Sequence, residues 1–544
     1  MSFHFAMRQS GMTGTARRAV RESNSILPSD GLGSVGVSPK ASALEGVHQT
    51  VSVLKSDASR RDADWKRPRR SRSPLSTASF RLSVLPIFLC LLAFAGCTVG
   101  PDYKRPAVNT PQTFWGDSSG QTNSLGDMPW WELFRDDTLQ TLIRTALTNN
   151  YDIRVAATRV EQARAVLAEN RAGYFPQVSY TGVAGIGKNA ENGSLFPGVR
   201  QSEFFEAAGN VSWEIDLWGR IRRMNESARA QFFASEEART NVMLTLIANV
   251  AQDYFQLLAL DQDLQIAYDT TNSFGQSLKL FSERLRGGVA SKLETSAAEA
   301  AEAAAAATVP ELTRQIVIEE DQIRILLGMN PGPVLRGKKL LQELLPPDVP
   351  PGLPSALLER RPDIRQAEQV VRAANAQIGV AKADFYPRFD LTALFGQVSP
   401  QLGTITTGGA NGWGALGTLA GPLFEGGYLK AQLRQNRAAW QEAVLQYQQV
   451  ALNAFHEVAN ALTSREQLAR ESVEQDRAVR AYQVAVQVAT QRYRGGQASY
   501  YELLQEQQLL FPAENTLTQT RLNQLLTAVQ LYLALGGGWN AAQQ

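Results

Sequence analysis

Two periodicities alternate along the chain. From Trp218 to Arg286 there is no proline, and Val242, Leu246, Val250, Tyr254, Leu257 and Leu264 fall on one stripe at near-helical spacing. This predicts one continuous helix on the order of 100 Å long at 1.5 Å per residue, with a counterpart from about Gly427 to Arg494. Helices of that length are at home in a coiled-coil-like bundle. Short segments of period two precede each of them. A strand is expected near 176–187, and Phe205, Ala207, Gly209, Val211, Trp213 and Ile215 then alternate with a largely polar set. Later, Phe389, Leu391, Ala393 and Phe395 form one such strand, and Trp413, Ala415, Gly417 and Leu419 its return. Strands of about ten residues suit a tilted membrane barrel.

The pattern occurs twice. Arg284-Leu285-Arg286-Gly287-Gly288-Val289-Ala290-Ser291 returns 208 residues later as Arg492-Tyr493-Arg494-Gly495-Gly496-Gln497-Ala498-Ser499. Asp152-Ile153-Arg154 and Phe175-Pro176 return as Asp363-Ile364-Arg365 and Tyr386-Pro387 at an offset of 211. So long a period fits two copies of one unit, each reading helix, two strands, very long helix, glycine turn, helix. Residues 97–328 and 361–538 are the expected copies, with a connector at 329–360 and a tail at 539–544. The span 331–362 holds eight prolines and is expected to be extended. Pro310 and Pro512 lie inside the helices after the glycine turns and are expected to kink or divide them. Trp130-Trp131-Glu132-Leu133-Phe134 opens a first short helix and reads as packing.

Composition is ordinary for a folded protein, with 44% hydrophobic and 19% charged residues. The charge is uneven: residues 1–96 carry 14 Lys and Arg against 6 Asp and Glu, leaving 40 and 46 for the body. Residues 1–65 lack periodicity and are expected to be disordered or to precede the true start. A basic stretch from 66 to 81 and an apolar run from 82 to 96 have the layout of an export signal, too short for a spanning helix. Cys97 follows. Without disulfides, an exported body must be held by packing or assembly. Its sole histidine after the signal, His456, lies in an apolar-periodic helix and reads as a surface or packing residue.

Catalytic chemistry finds no foothold in the motifs. Gly182 to Asn189 approaches a phosphate-binding loop, but Asn189 lacks the metal-binding hydroxyl and a polar loop follows instead of a helix. No zinc motif, nucleophile elbow or dinucleotide fingerprint appears, so the reading is not an enzyme, with no cofactor and no metal site. Basic residues interspersed with acidic ones argue against nucleic acid. The two glycine turns are the functional candidates, set against their simpler reading as helix caps.

Four strands cannot close a barrel in lipid, so chains must share one. Two chains would give eight strands and a filled lumen; three would give twelve and room for passage.

Over residues 97–544 the chain resembles the TolC-like outer membrane factors, in particular their lipoprotein branch serving resistance-nodulation-division efflux pumps. Cys97-Thr98-Val99-Gly100-Pro101-Asp102-Tyr103, Trp130-Trp131, Glu359-Arg360-Arg361-Pro362-Asp363-Ile364, Phe385-Tyr386-Pro387 and Leu535-Gly536-Gly537-Gly538-Trp539 carry the resemblance. Phe94-Ala95-Gly96-Cys97 is similar to a lipobox, which implies an acylated Cys97. The fold implied is an α+β membrane protein: a long antiparallel α-helical coiled-coil barrel and four β-strands per chain, forming a twelve-stranded transmembrane β-barrel in a homotrimer. It implies an outer-membrane, lipid-anchored exit duct, extending into the periplasm of a Gram-negative cell and passively conducting small molecules. The implied partners are a periplasmic adaptor protein and an inner-membrane pump. Arg286, Gly287, Gly288, Ala290, Ser291, Arg494, Gly495, Gly496, Ala498 and Ser499 are then the expected adaptor contacts, and Tyr493 and Glu502 the expected gate. Ala498 and Gln505 depart from charged positions of some relatives, which leaves a charge-locked gate open. Protein secretion, metal efflux, or an anchored coiled-coil structural or adhesive role are the alternatives.

Overall fold

The computed structural model describes residues 98–115, 128–188, 201–345 and 352–537. The expectations for residues 1–65, the signal, Cys97 and the tail fall outside them. The first copy contains α1 (Trp130–Leu133), α2 (Asp137–Asn149), α3 (Tyr151–Ala172), β1 (Gln177–Lys188), β2 (Gln201–Ile215), α4 (Arg220–Arg286) and α5 (Lys292–Leu326). The second contains α6 (Pro354–Arg360), α7 (Pro362–Ala383), β3 (Arg388–Ser399), β4 (Asn411–Ala420), α8 (Tyr428–Arg494) and α9 (Tyr500–Ala534).

Four of the six paired elements match to the residue. α4 and α8 are both 67 residues long and α5 and α9 both 35. α3 and α7 are both 22 residues, β1 and β3 both 12. The offset drops from 211 to 208 between the first strand and the long helix of each copy.

Two expectations are corrected. α5 and α9 are not divided at Pro310 and Pro512, which lie inside continuous helices, because the remaining intrahelical bonds hold the ladder across one missing donor. The connector is also not extended throughout: α6 starts with Pro354 in its first turn and ends where the equivalent of α2 would, so the second copy begins before residue 361. Proline is tolerated at that first helical position, where the amide would be unpaired in any case.

Local chemistry sets the helix ends. Gly219 adopts φ +82° before α4, and the Asp216 carboxylate accepts from the amides of Ile221 (3.1 Å) and Arg222 (2.9 Å), satisfying donors the first turn leaves free. Asn150 caps α3 through Asp152 and Ile153, as Asp136 caps α2 through Thr138 and Leu139. The predicted stripe on α4 forms the core: Val250, Tyr254 and Leu257 are fully buried, with α7 and α9 of the other copy packed against the same helix.

The strands form one sheet in the order β1-β2-β3-β4, antiparallel from β2 to β4. Register puts the expected faces together: Trp213 lies opposite Leu391, Leu391 opposite Gly417, and Phe395 opposite Trp413. The alternate positions pair Glu214 with Asp390 and Ser212 with Thr392. The sheet therefore has one apolar and one polar face, and β1 and β4 are its edges.

A strap from Thr98 to about Trp115 binds the copies together. Val99 donates to the Trp218 carbonyl (2.9 Å), Asn375 to that of Pro101 (2.9 Å), and Gln448 to that of Ala107 (3.1 Å). Asp102 pairs with the buried Arg223, and Arg105 with Glu368. Gly100 passes so close to Gly379 that a Cβ on it would lie 2.5 Å from the Gly379 Cα. Elsewhere a buried polar knot fastens the connector. Asp136 accepts from Tyr254 Oη at 2.8 Å and the Lys338 amide at 3.4 Å, the Gly337 amide donates to Tyr254 Oη at 2.9 Å, and Arg521 donates to the Glu343 carbonyl at 2.6 Å.

Candidate functional site

Both glycine turns are Schellman caps. In the first, the Val289 amide donates to Arg284 (3.0 Å) and that of Gly288 to Leu285 (2.9 Å); in the second, Gln497 donates to Arg492 (2.8 Å) and Gly496 to Tyr493 (3.1 Å). Gly288 and Gly496 sit at φ +74° and +72°, left-handed conformations that L side chains rarely adopt. Ser291 and Ser499 then cap α5 and α9, accepting from Glu294 and Glu502, each at 3.3 Å. Much of the repeated motif is thus explained by helix termination and initiation. Arg286, Gly287, Arg494 and Gly495 stand exposed around the turns, whereas Ala290 and Ala498 are half-buried.

The structure brings the two turns together. Tyr493 is buried, its ring 5.1 Å from that of Phe281 in an edge-on arrangement, and Phe281 meets Tyr500 in the same way at 4.8 Å. The Arg284 guanidinium lies 4.6 Å from the Tyr493 ring centroid and donates to the Tyr493 carbonyl at 3.5 Å. Below them, Ser277 donates to the Gln507 side-chain oxygen at 3.1 Å, and Gln507 donates to Ser273 at 2.9 Å. Aromatic pairs of this kind contribute about 0.5–1.5 kcal/mol beyond burial, and a cation over a ring about 0.5–2. Burial lifts the Tyr500 hydroxyl above its ordinary range, with the Glu294 charge adding to the effect.

Glu502 is half-exposed, faces Arg492 at 3.6 Å, and occupies the third position of α9 below its Ser499 cap. An ion pair that exposed adds little stability. Of the residues grouped here, sequence reasoning singled out Tyr493 and Glu502 as the expected gate and did not single out Phe281, Arg284 and Arg492. The last two were visible as the repeated arginine two residues before the Arg-Gly-Gly step; the phenylalanine had no local signal, because its partners lie more than 200 residues away. The near-phosphate loop is strand as far as Lys188, not the helix start that phosphate binding requires. His456 is exposed on α8 and bonds Asn460 at 3.0 Å. Among the described residues no three His, Cys, Asp or Glu side chains group to hold a metal.

A model of the outer membrane efflux protein family matches residues 142–329 and 353–537, which span both copies. The chain belongs to the outer membrane efflux protein family. The cation efflux system protein CusC of Escherichia coli strain CFT073 is 32% identical over 456 residues, covering 83% of this chain and 98% of the relative. The toluene efflux pump outer membrane protein TtgC of Pseudomonas putida is 34% identical, covering 84% and 96%. Among solved structures, the outer-membrane channel OprN superposes with a TM-score of 0.76 at 32% identity, over 81% of this chain and all of that one. The protein is an outer-membrane efflux channel, and the adhesive or structural alternative is set aside.

Proposed function

We propose that three copies of this efflux channel form a passive exit duct, fed by an inner-membrane pump through a periplasmic adaptor. One observation carries the assembly: the duplicated helices are not equally covered. α4 buries 26 of its residues and α8, of equal length, only 10. α4 is packed by its own α5 and by α7 and α9 of the second copy, while α8 packs mainly on α9 and α7. Leu244 is 3% exposed, yet its counterpart Leu452 is 67% exposed; Val317 on α5 is 50% exposed, yet its counterpart Leu525 is 2%. The bare face of α8 and the bare face of α5 are the two halves of a contact already made once inside the chain. Chains joined head to tail complete it, and the same step sets β4 beside the β1 of the next copy. Three copies give twelve strands, a lumen wide enough for passage, and the apolar sheet face turns to lipid.

The glycine turns then number six at the periplasmic rim, with Arg286, Arg494 and the adjoining turn residues offered to the adaptor and Tyr493 and Glu502 governing the opening. Acylated Cys97 is the second anchor. The next residue, Thr98, packs against Gly219 beside the end of β2, so a lipid on Cys97 would enter the membrane next to the barrel.

Substrate class stays at small molecules: relatives named for cations and for toluene are about equally similar, at 32% and 34% identity. Purified protein should form a trimer that conducts ions in planar bilayers; a conducting monomer refutes the shared barrel. Deletion of the gene, screened against drugs, metals and exported proteins, identifies the cargo. Cys97→Ala should abolish palmitate labelling, and undiminished labelling refutes the anchor.

A further inference from the structure

An open groove of about 430 Å³ lies where α4, α7 and α8 meet. Its apolar lining includes Val370, Ala374 and Ala439, side chains small enough to leave a hollow between the packed helices. Its polar lining is Ser227, Gln231, Gln377, Asn436, Glu442 and Gln446. Buried Ser227 accepts from Gln377 Nε2 at 2.9 Å, and Gln446 Nε2 donates to Glu442 Oε1 at 3.1 Å. Glu442 is the one charged residue of the lining, and no lysine or arginine lies along the groove to neutralise it.

The strap shows which way the groove opens. On α7 the strap contacts Glu368, Asn375 and Gly379, whereas the groove takes Val370, Ala374 and Gln377. At about 100° per residue the two sets lie on opposite sides of the helix. On α8 the same division holds: Gln448 reaches the strap at Ala107, and Ala439, Glu442 and Gln446 turn the other way. The strap leads to Cys97, whose lipid lies outside the barrel, so the strap marks the outer surface and the groove faces the axis. Ser227 and Gln231 place it roughly 10–17 Å from the strand end of α4, at 1.5 Å per residue.

We propose that this groove is a transient seat for amphiphilic organic cations on their way through the duct. The inference rests on the trimeric duct reading and narrows its cargo. A volume of this size accepts a drug-sized molecule. The alanine and valine surface takes an apolar body, the amides donate and accept, and Glu442 draws the positive charge. One exposed carboxylate holds its partner loosely, as a conduit needs, because a solute must be able both to enter and to leave. A bare transition-metal cation gains little here, since the lining offers it neither thiolate nor imidazole.

The probe is ethidium, an aromatic monocation. Added at low ionic strength to the full-length protein in detergent, its fluorescence should rise saturably to one dye per chain. Glu442→Gln should weaken binding severalfold. Ala439→Trp, at an exposed position where the larger side chain leaves the fold intact, should fill the groove and remove the saturable component. In planar bilayers, ethidium on the periplasmic side should briefly interrupt the wild-type current and leave that of Ala439→Trp uninterrupted. Titrations unchanged in both variants overturn the groove as a site, and wild-type affinity in Glu442→Gln alone overturns the preference for cations. If the unmodified protein conducts nothing, the duct reading falls, while the titration still decides whether the groove binds.

Discussion

Replacing Glu343 by Gln should make the fold more stable at neutral pH and leave it unchanged in acid. Glu343 and Asp136 are 4% and 2% exposed, and their carboxyls are within hydrogen-bonding contact. Two carboxyls make such a contact only when one carries a proton. Burial alone would raise Asp136, but the hydrogen bond with Glu343, then the Tyr254 hydroxyl and the Leu139 and Thr138 amides, hold it below its ordinary range, so it keeps the charge. Glu343 Oε1 is buried without a partner, and burial, then Asp136, push the group from 4.5 up to about 7, against the lowering pull of Lys338 and Arg521. A raised folded value means the proton's contribution is fully present below 4.5 and is lost as pH rises through about 7. At ~1.4 kcal/mol per unit, the upper bound is about 3 kcal/mol. Gln imitates the protonated form and removes the dependence. Thermal unfolding of detergent-solubilised protein, followed by helical circular dichroism from pH 5 to 8, should show the two melting temperatures separating as pH rises. Burial also raises Asp253, Asp263 and Glu319 into this window, but both proteins share them and the difference isolates Glu343. Melting curves that stay parallel across the range would refute the shared proton.

Three further outcomes follow from described geometry. Gly288→Ala and Gly496→Ala should each cost about 1–2 kcal/mol, because both positions need a left-handed backbone, whereas Gly287→Ala, at φ −77°, should be nearly neutral; equal losses in thermal melts would contradict the caps. Gly100→Ala should lift the strap off Gly379 and speed tryptic cleavage after Lys104, which the strap's fixed backbone otherwise slows, and an unaltered digestion rate would show that the crossing tolerates a methyl. Phe395→Arg on the apolar sheet face should cost about 2–4 kcal/mol if the residue faces mid-bilayer, so wild-type resistance to denaturant in liposomes would place that face elsewhere.

Much of this architecture is written locally. The stripe through Val250, Tyr254 and Leu257 and the alternation in β2 and β3 depend on neighbours a few residues apart, and both survive in the fold because period and burial agree. The repeat revealed equal helices without any knowledge of their packing. What could not be read depends on distant partners: Phe281 under Tyr493, Glu343 beside Asp136, and the strap crossing at Gly379. Proline misled twice for one reason. Its local penalty is real, but Pro310 sits in a helix long enough to continue past it, and Pro354 occupies a first turn where no amide is missed. At the glycine turns, capping accounts for more of the motif than repetition alone suggested.

The equal lengths of α4 and α8 also limit how this protein can change. Removing one residue from either rod would shorten it by 1.5 Å and turn everything beyond by about 100°, carrying Phe281 or Tyr493 away from its partner while the sister helix stayed in place. Insertions and deletions in the rods must therefore come in matched pairs, a double event that point-by-point divergence seldom supplies. The segments between first strand and long helix carry no such constraint, and there the copies already differ by three residues. The reach of the helical part into the periplasm is thus set by two mutually checking rulers, while the stretch between first strand and long helix has already changed in length.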